Sequence, residues 1–157
     1  MTISFYDAPD AVPQVVGGAR SRIMTMRQDI VLVVDDDFAV RDSLKFALEI
    51  EGLTVHACSG GAELLAHPEL LQARCIVLDY KMPLMDGFSV LERLTALNLH
   101  IPVIVITAHA TQGLRDRAAQ AGIQHVLEKP LFNGSLLDSI HAVLGRGKAS
   151  VEIPSFG

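Results

Sequence analysis

Five short apolar runs recur along the chain, each followed by a loop and then by a stretch whose apolar residues repeat at helical spacing. The runs occupy residues 30–34, 54–58, 75–78, 103–106 and 125–127. The first, third and fourth are uninterrupted and rich in Val and Ile, as expected of strands covered on both faces. The second and fifth are more mixed and suit positions nearer a sheet edge. A first helix is predicted over 38–51, with Val40, Leu44, Ala47 and Leu48 inward and Gly52 as its stop. A weaker helix follows over 61–67, ahead of Pro68, and a third over 87–97 turns Val90, Leu91 and Leu94 inward. The fourth, over 111–121, carries Leu114, Ala118 and Ala121 and ends at Gly122. The fifth, over 134–144, carries Leu136, Leu137, Ile140, Val143 and Leu144 and ends at Gly145. Short loops between alternating strands and helices require parallel strands joined by right-handed crossovers, so the fold class is α/β with an open, doubly wound five-stranded sheet.

The ends break this rhythm. Residues 1–28 hold Pro9, Pro13 and Gly17-Gly18 with no sustained period, and are expected to form a flexible extension. Asp7, Pro9, Asp10 and Pro13 also interrupt any secretory signal layout, and Met24 and Met26 offer alternative starts just before the first strand. Residues 147–157, with Pro154, read as a tail, which leaves 29–146 as the domain.

Composition narrows the picture further. The 157 residues are 50% apolar, which excludes general disorder, and the chain has the size of one domain that folds without disulfides or metal. No apolar run approaches the roughly 20 residues that span a bilayer. A net charge of −5, no Trp, and only 6 Phe and 2 Tyr exclude a nucleic-acid surface that works through a basic face or base stacking. Cys58 and Cys75 sit in or beside apolar runs and are expected to be buried thiols in a reducing cytoplasm, while the six histidines show no metal-binding spacing.

The candidate chemistry lies at one edge of the expected sheet. Parallel strands present all their C-terminal ends to the same edge, where ligands bind. Asp35, Asp36 and Asp37 follow the first run, Asp79 the third, Thr107 the fourth and Lys129 the fifth. Crowded carboxylates repel and call for a hard divalent cation; Mg²⁺ takes one or two carboxylates and fills its remaining positions with water and phosphate oxygens. A carboxylate beside such an ion can act as a nucleophile towards a phosphoryl donor and form an aspartyl phosphate, with a lysine stabilising charge on the phosphoryl oxygens. Asp79, alone at the end of a central strand, is the expected nucleophile. Thr107 is placed to donate to the phosphoryl group, and Ala108 leaves the approach open. Asp37 and Asp86 are expected to be helix caps.

These residues carry a resemblance. Val33–Asp37, the stretch from Leu78-Asp79-Tyr80-Lys81-Met82-Pro83 through Asp86-Gly87, Ile106-Thr107-Ala108 and Glu128-Lys129-Pro130 resemble the receiver domain of bacterial two-component response regulators, over about residues 29–146. The resemblance implies a flavodoxin-like sheet in the order 2-1-3-4-5, the same fold as the chemotaxis regulators. It implies that a histidine kinase or histidine phosphotransfer protein phosphorylates Asp79. It also implies that Mg²⁺ is held by Asp36, by Asp35 mainly through water, by Asp79 and by the carbonyl of Lys81. Thr107 and Lys129 would contact the phosphoryl group. The domain would be a cytoplasmic phosphoacceptor switch with slow self-dephosphorylation, not a metabolic enzyme, and the fourth helix, fifth strand and fifth helix would form a surface for dimerisation or partners. The segments around Thr107 and Lys129 lean towards the nitrogen-fixation and LuxR-type branch.

Three positions depart from the family pattern. Val126 replaces the frequent aromatic residue three before the lysine, so loop movement around Thr107 must carry more of any switch. Lys81 and His109, each two residues beyond a site residue, are placed to modulate access. The eleven residues after Arg146 are too few for a helix-turn-helix module, so the expectation is a stand-alone receiver or a piece of a longer regulator. Three rival readings stand beside the phosphoacceptor. One is a Mg²⁺-dependent phosphohydrolase, which lacks a second carboxylate where Lys81 stands. Another is a flavin-binding protein, whose phosphate the three aspartates would repel. The last is a receiver-like scaffold that is never phosphorylated.

Overall fold

The fourth and third apolar runs prove to be strands buried from end to end, and the rest of the molecule is layered on them. The structure, a computed structural model, describes residues 28–131 and 134–145. The expected extension up to residue 27, the alternative starts Met24 and Met26, and Arg146 with the tail 147–157 lie outside the described residues. Strands β1 (Ile30–Val34), β2 (Thr54–Cys58), β3 (Cys75–Asp79), β4 (Val103–Thr107) and β5 (His125–Glu128) alternate with helices α1 (Phe38–Ile50), α2 (Gly61–Leu65), α3 (Gly87–Ala96), α4 (Gln112–Gln120) and α5 (Ser135–Leu144). A single 3-10 turn, Leu70–Gln72, follows α2. The strands form one all-parallel sheet in the order β2-β1-β3-β4-β5, the expected 2-1-3-4-5 arrangement. All five residues of β3 and of β4 are buried, whereas the edge strands β2 and β5 are only partly so, which accounts for their mixed composition.

The two-residue period of the strands divides the core. Val31, Val33, Val77, Ile104 and Ile106 point to one face, where Leu48 of α1 and Leu136, Ile140 and Leu144 of α5 cover them. Leu32, Val34, Ile76, Leu78 and Val105 point to the other, under Leu64 of α2 and Val90 and Leu94 of α3. Phe88 of α3 packs with Leu114 and Ala118 of α4 as a smaller cluster on that side.

Two residues expected inward are exposed. The stripe of α1 that meets the sheet follows the four-residue spacing of Leu44 and Leu48, which leaves Ala47 about 100° round the helix from Leu48. Ala121 is the C-cap of α4, beyond its last packed turn. Asp37 caps α1 by accepting from the backbone of Ala39 and Val40, and Asp86 caps α3 by accepting from Ser89, both as expected. Cys58 and Cys75 are unpaired and buried, and burial pushes both thiols up to about 12, far from reactive. Among the described residues no helix is long and apolar enough to cross a membrane.

The layering predicts unequal responses to two substitutions. Ile104 is fully buried in a central strand, so Ile104→Ala should destabilise the domain by about 2–5 kcal/mol in urea denaturation. Phe46 is 67% exposed on the outer face of α1, and Phe46→Ser should stay within about 0.5 kcal/mol of the parent.

Candidate functional site

The strand register brings the site together. Val34 pairs with Leu78 and Leu78 with Val105, so the residues that leave β1, β3 and β4 do so at nearly one level. Asp35, fully buried, is fixed by its own backbone: its N–H donates to the carbonyl of Cys58 at 3.1 Å, and its carbonyl accepts from Arg41 Nη1 at 2.8 Å. Its Oδ1 accepts from the backbone of Asp37 at 2.9 Å, which leaves Oδ2 facing inward. Asp36, next in the chain, is exposed. Asp79 ends β3 with only 4% of its surface accessible.

Beyond Asp79 the chain makes a loop that closes on itself. The Tyr80 N–H donates to Ile106 at 2.9 Å and the Gly87 N–H donates back to Tyr80 at 2.8 Å. A Cβ at Gly87 would lie 3.1 Å from the Cα of Tyr80 and 3.4 Å from the carbonyl of Asp79, so the glycine after Asp86 is what lets α3 start so close to the acidic residue. On the other side, the Lys129 N–H donates to the Thr107 carbonyl at 2.7 Å and ties the ends of β4 and β5 together. From there the Lys129 side chain reaches back across the sheet edge, with Nζ 2.9 Å from Asp35 Oδ2 and 3.3 Å from Asp79 Oδ1.

One ammonium thus pairs with two carboxylates, beside a third. Asp35, Asp36 and Asp79 each offer an oxygen, and these oxygens lie within 4.8 Å of one another. Burial, followed by the charge of Asp35, pushes the Asp79 carboxyl up to about 6; Lys129 pulls it down and Asp36 adds a smaller upward push. Burial pulls the Lys129 ammonium down, but its hydrogen bond to Asp35 and the charges of Asp79 and Asp35 outweigh this, and the net direction is upward. Hard oxygen donors with one member open to solvent and an uncompensated negative charge fit a divalent cation that keeps part of its water shell.

The remaining expected residues lie on β4, β5 and the loops after β3 and β4. Thr107 is 3% accessible, and its hydroxyl is turned to its own loop, where it accepts from the His109 N–H at 3.3 Å and donates to the His109 carbonyl at 3.4 Å. Lys81, Ala108 and His109 are exposed and line, with Tyr80 and Thr111, an open cleft next to the acidic cluster. Val126 is half-buried and packs beside Tyr80 against the cluster of Phe88, Leu114 and Ala118.

Several contributors are not visible in the one-dimensional pattern. Arg41 holds the backbone of Asp35 from one turn into α1, and Glu128 accepts from the Ala110 N–H at 3.3 Å, joining the loop after β4 to the end of β5. Tyr80 stacks edge-on against Phe88, with ring centroids 5.4 Å apart, and the Arg117 guanidinium lies 4.0 Å from the centre of the Phe88 ring. The adjacency of Tyr80 to Asp79 was the available signal for the stack. For Arg41 the signal was weaker, a cation one helical turn beyond the capping Asp37.

The charge imbalance yields a pH-dependent prediction for the metal-free protein. The folded Asp79 carboxyl, at about 6 against its ordinary 3.8, holds its proton more tightly than the unfolded chain does. Ionising it therefore costs stability: the cost is absent below the unfolded value, grows through the window between the two and is complete above about 6. Asp79→Asn should accordingly stabilise the protein in EDTA at pH 7, by on the order of 2–3 kcal/mol, and the gain should fade as pH falls towards 4. Urea denaturation of both proteins across this range checks it; a gain independent of pH would contradict the assignment to Asp79.

Comparison with known proteins agrees with this geometry. The family profile described as "Response regulator receiver domain" matches residues 31–141. The transcriptional regulatory protein FixJ of Azorhizobium caulinodans is 40% identical over 116 residues, a match that takes in 74% of this chain and 55% of that protein. The chain spans about half the length of the curated relatives it matches. Among solved structures, the crystal structure of FixJ-N superposes with a TM-score of 0.67 at 32% identity, covering 75% of this chain and 94% of that one. The Vibrio cholerae chemotaxis protein CheY4 shares the fold, with a TM-score of 0.69 at 24% identity over 74% of this chain and 99% of that one. With its 2-1-3-4-5 parallel sheet and acidic edge, the chain belongs to the response regulator receiver domain family of two-component signalling.

Proposed function

We propose that Asp79 accepts a phosphoryl group from a phosphohistidine on a histidine kinase or phosphotransfer protein, and that the modified domain signals in the cytoplasm by changing its protein contacts. The observation that carries this reading is the Lys129 ammonium bridging Asp35 and Asp79 beside a third carboxylate. The carboxylates of Asp35, Asp36 and Asp79, with the carbonyl of Lys81, would hold Mg²⁺. When bound, the ion supplies positive charge against the phosphoryl oxygens.

The chain's own groups do the rest. An oxygen of the ionised Asp79 carboxylate forms the new O–P bond while the N–P bond of the phosphohistidine breaks and its electron pair returns to the imidazole nitrogen. Lys129, already 3.3 Å from Asp79, offers its ammonium to the developing charge without rearranging. The Thr107 hydroxyl is engaged only weakly, with His109 of its own loop, so it is free to turn towards the phosphoryl group. That turn releases the loop from His109 to Thr111. The bond between Ala110 and Glu128 passes the movement to β5, so the α4–β5–α5 surface is the proposed output face, for a homodimer or another protein or domain. With Val126 in place of an aromatic residue, the β4–α4 loop carries the change.

Incubation with acetyl phosphate and Mg²⁺ should add one phosphoryl group by intact mass, and none in EDTA or in Asp79→Asn. Label that persists in Asp79→Asn, or no label on the parent, would overturn the reading. Lys129→Met should fold but react about 10²–10³ times more slowly, the effect of removing one preorganised charge donor. Size-exclusion chromatography with beryllofluoride should show altered self-association if the output face pairs two copies; an unchanged monomer leaves a different partner as its target.

A further inference from the structure

The loop from Asp79 to Gly87 holds a residue that works against its own backbone. Among the described residues, two other than glycine have left-handed φ: Asn98 at 60° and Leu84 at 69°. Asparagine tolerates this region because its short polar side chain bonds locally; leucine does not, because its Cβ crowds the backbone. The turn is tight as well. The Met85 N–H donates to the Pro83 carbonyl at 2.7 Å, closing a turn centred on Leu84, and a γ-turn with positive φ at its centre is rare and strained.

Among the described residues the Leu84 side chain has no packing of its own to offset this strain. Leu84 is 107% accessible, more open than in a reference extended chain, while Met82 is buried and Met85 half-buried on either side of it. Those two neighbours pin the loop to the core and hold Leu84 out at its apex. Strain of this kind persists where function requires it.

Position identifies the requirement. Asp79 is 4% accessible, so a phosphohistidine side chain reaches it only if the donor protein's surface closes onto the loops around the pocket. Leu84 crowns one of those loops. Phe38, 68% exposed at the start of α1, lies just beyond Asp36 and Asp37 on another. We infer that Leu84 is a specificity-determining contact for the protein phosphodonor, an apolar anchor seated in the surface that carries the phosphohistidine. This inference rests on Asp79 being the acceptor. A small donor such as acetyl phosphate enters without touching Leu84, so the two kinds of donor separate the anchor's role from the chemistry.

The test compares the full chain with Leu84→Asn, which relieves the backbone and removes the apolar side chain, and Leu84→Met, which keeps an apolar side chain. The donors are acetyl phosphate and the autophosphorylated histidine kinase that labels the parent fastest when the kinases of its own genome are surveyed at short times. Leu84→Asn should melt about 2–4 °C higher than the parent, react with acetyl phosphate within about twofold of it, and accept from the kinase about tenfold more slowly or worse. Leu84→Met should keep most of the kinase rate. Equal kinase rates in the parent and Leu84→Asn, or equal losses with both donors, would overturn the inference. A parent labelled by neither donor would instead bring down the acceptor reading, and the inference with it.

Discussion

The ammonium of Lys129 lies against two buried or nearly buried carboxylates, one of them 94 positions away in the chain. Everything else about the site depends on making that contact possible. A lone cation between Asp35 and Asp79 requires strands β1, β3 and β5 to end at a common level, and the parallel register supplies this. It also requires the excess negative charge to be tolerated without ligand, and Asp79 tolerates it by rising to about 6. The resting domain thus holds unfavourable electrostatics, of the kind that a divalent cation at the cluster would relieve. Relief of that crowding by a small ion needs no large closure of the fold.

Much of this was legible in the sequence because parallel α/β folds write their active edge in a simple code: the residue after each apolar run. Asp35, Asp79, Thr107 and Lys129 were found that way, and burial on both faces made runs 75–78 and 103–106 unmistakable as central strands. The helices were less exact, because the packed stripe of a helix is set by the curvature of the sheet it meets. Ala47 and Ala121 satisfy the apolar period yet face solvent, one lying off the stripe and the other forming the C-cap. The contacts of Arg41 and Glu128 were faintly legible at most, since each is a long side chain reaching a backbone atom whose place only the folded loops define.

The loops show where the chain departs from a purely stable design. Gly87 is demanded by the close approach of α3 to Tyr80, and a local rule is obeyed there. At Leu84 a local rule is broken, in the same loop. In sequence that stretch is one motif, whereas the backbone separates its two tasks of packing α3 against β3 and presenting Leu84 outward. The Tyr80–Phe88–Arg117 stack and the half-buried Val126 connect the end of β3 to α4 without a bulky aromatic on β5.

The claim that the site is built around uncompensated carboxylate charge has a direct test in the titration of Asp79 itself. Carbon-detected NMR of the side-chain carboxyl in metal-free protein should give an apparent pKa near 6, and added Mg²⁺ should drive it down into the ordinary carboxylate range or below. A value already near 3.8 that Mg²⁺ leaves unmoved would contradict the account.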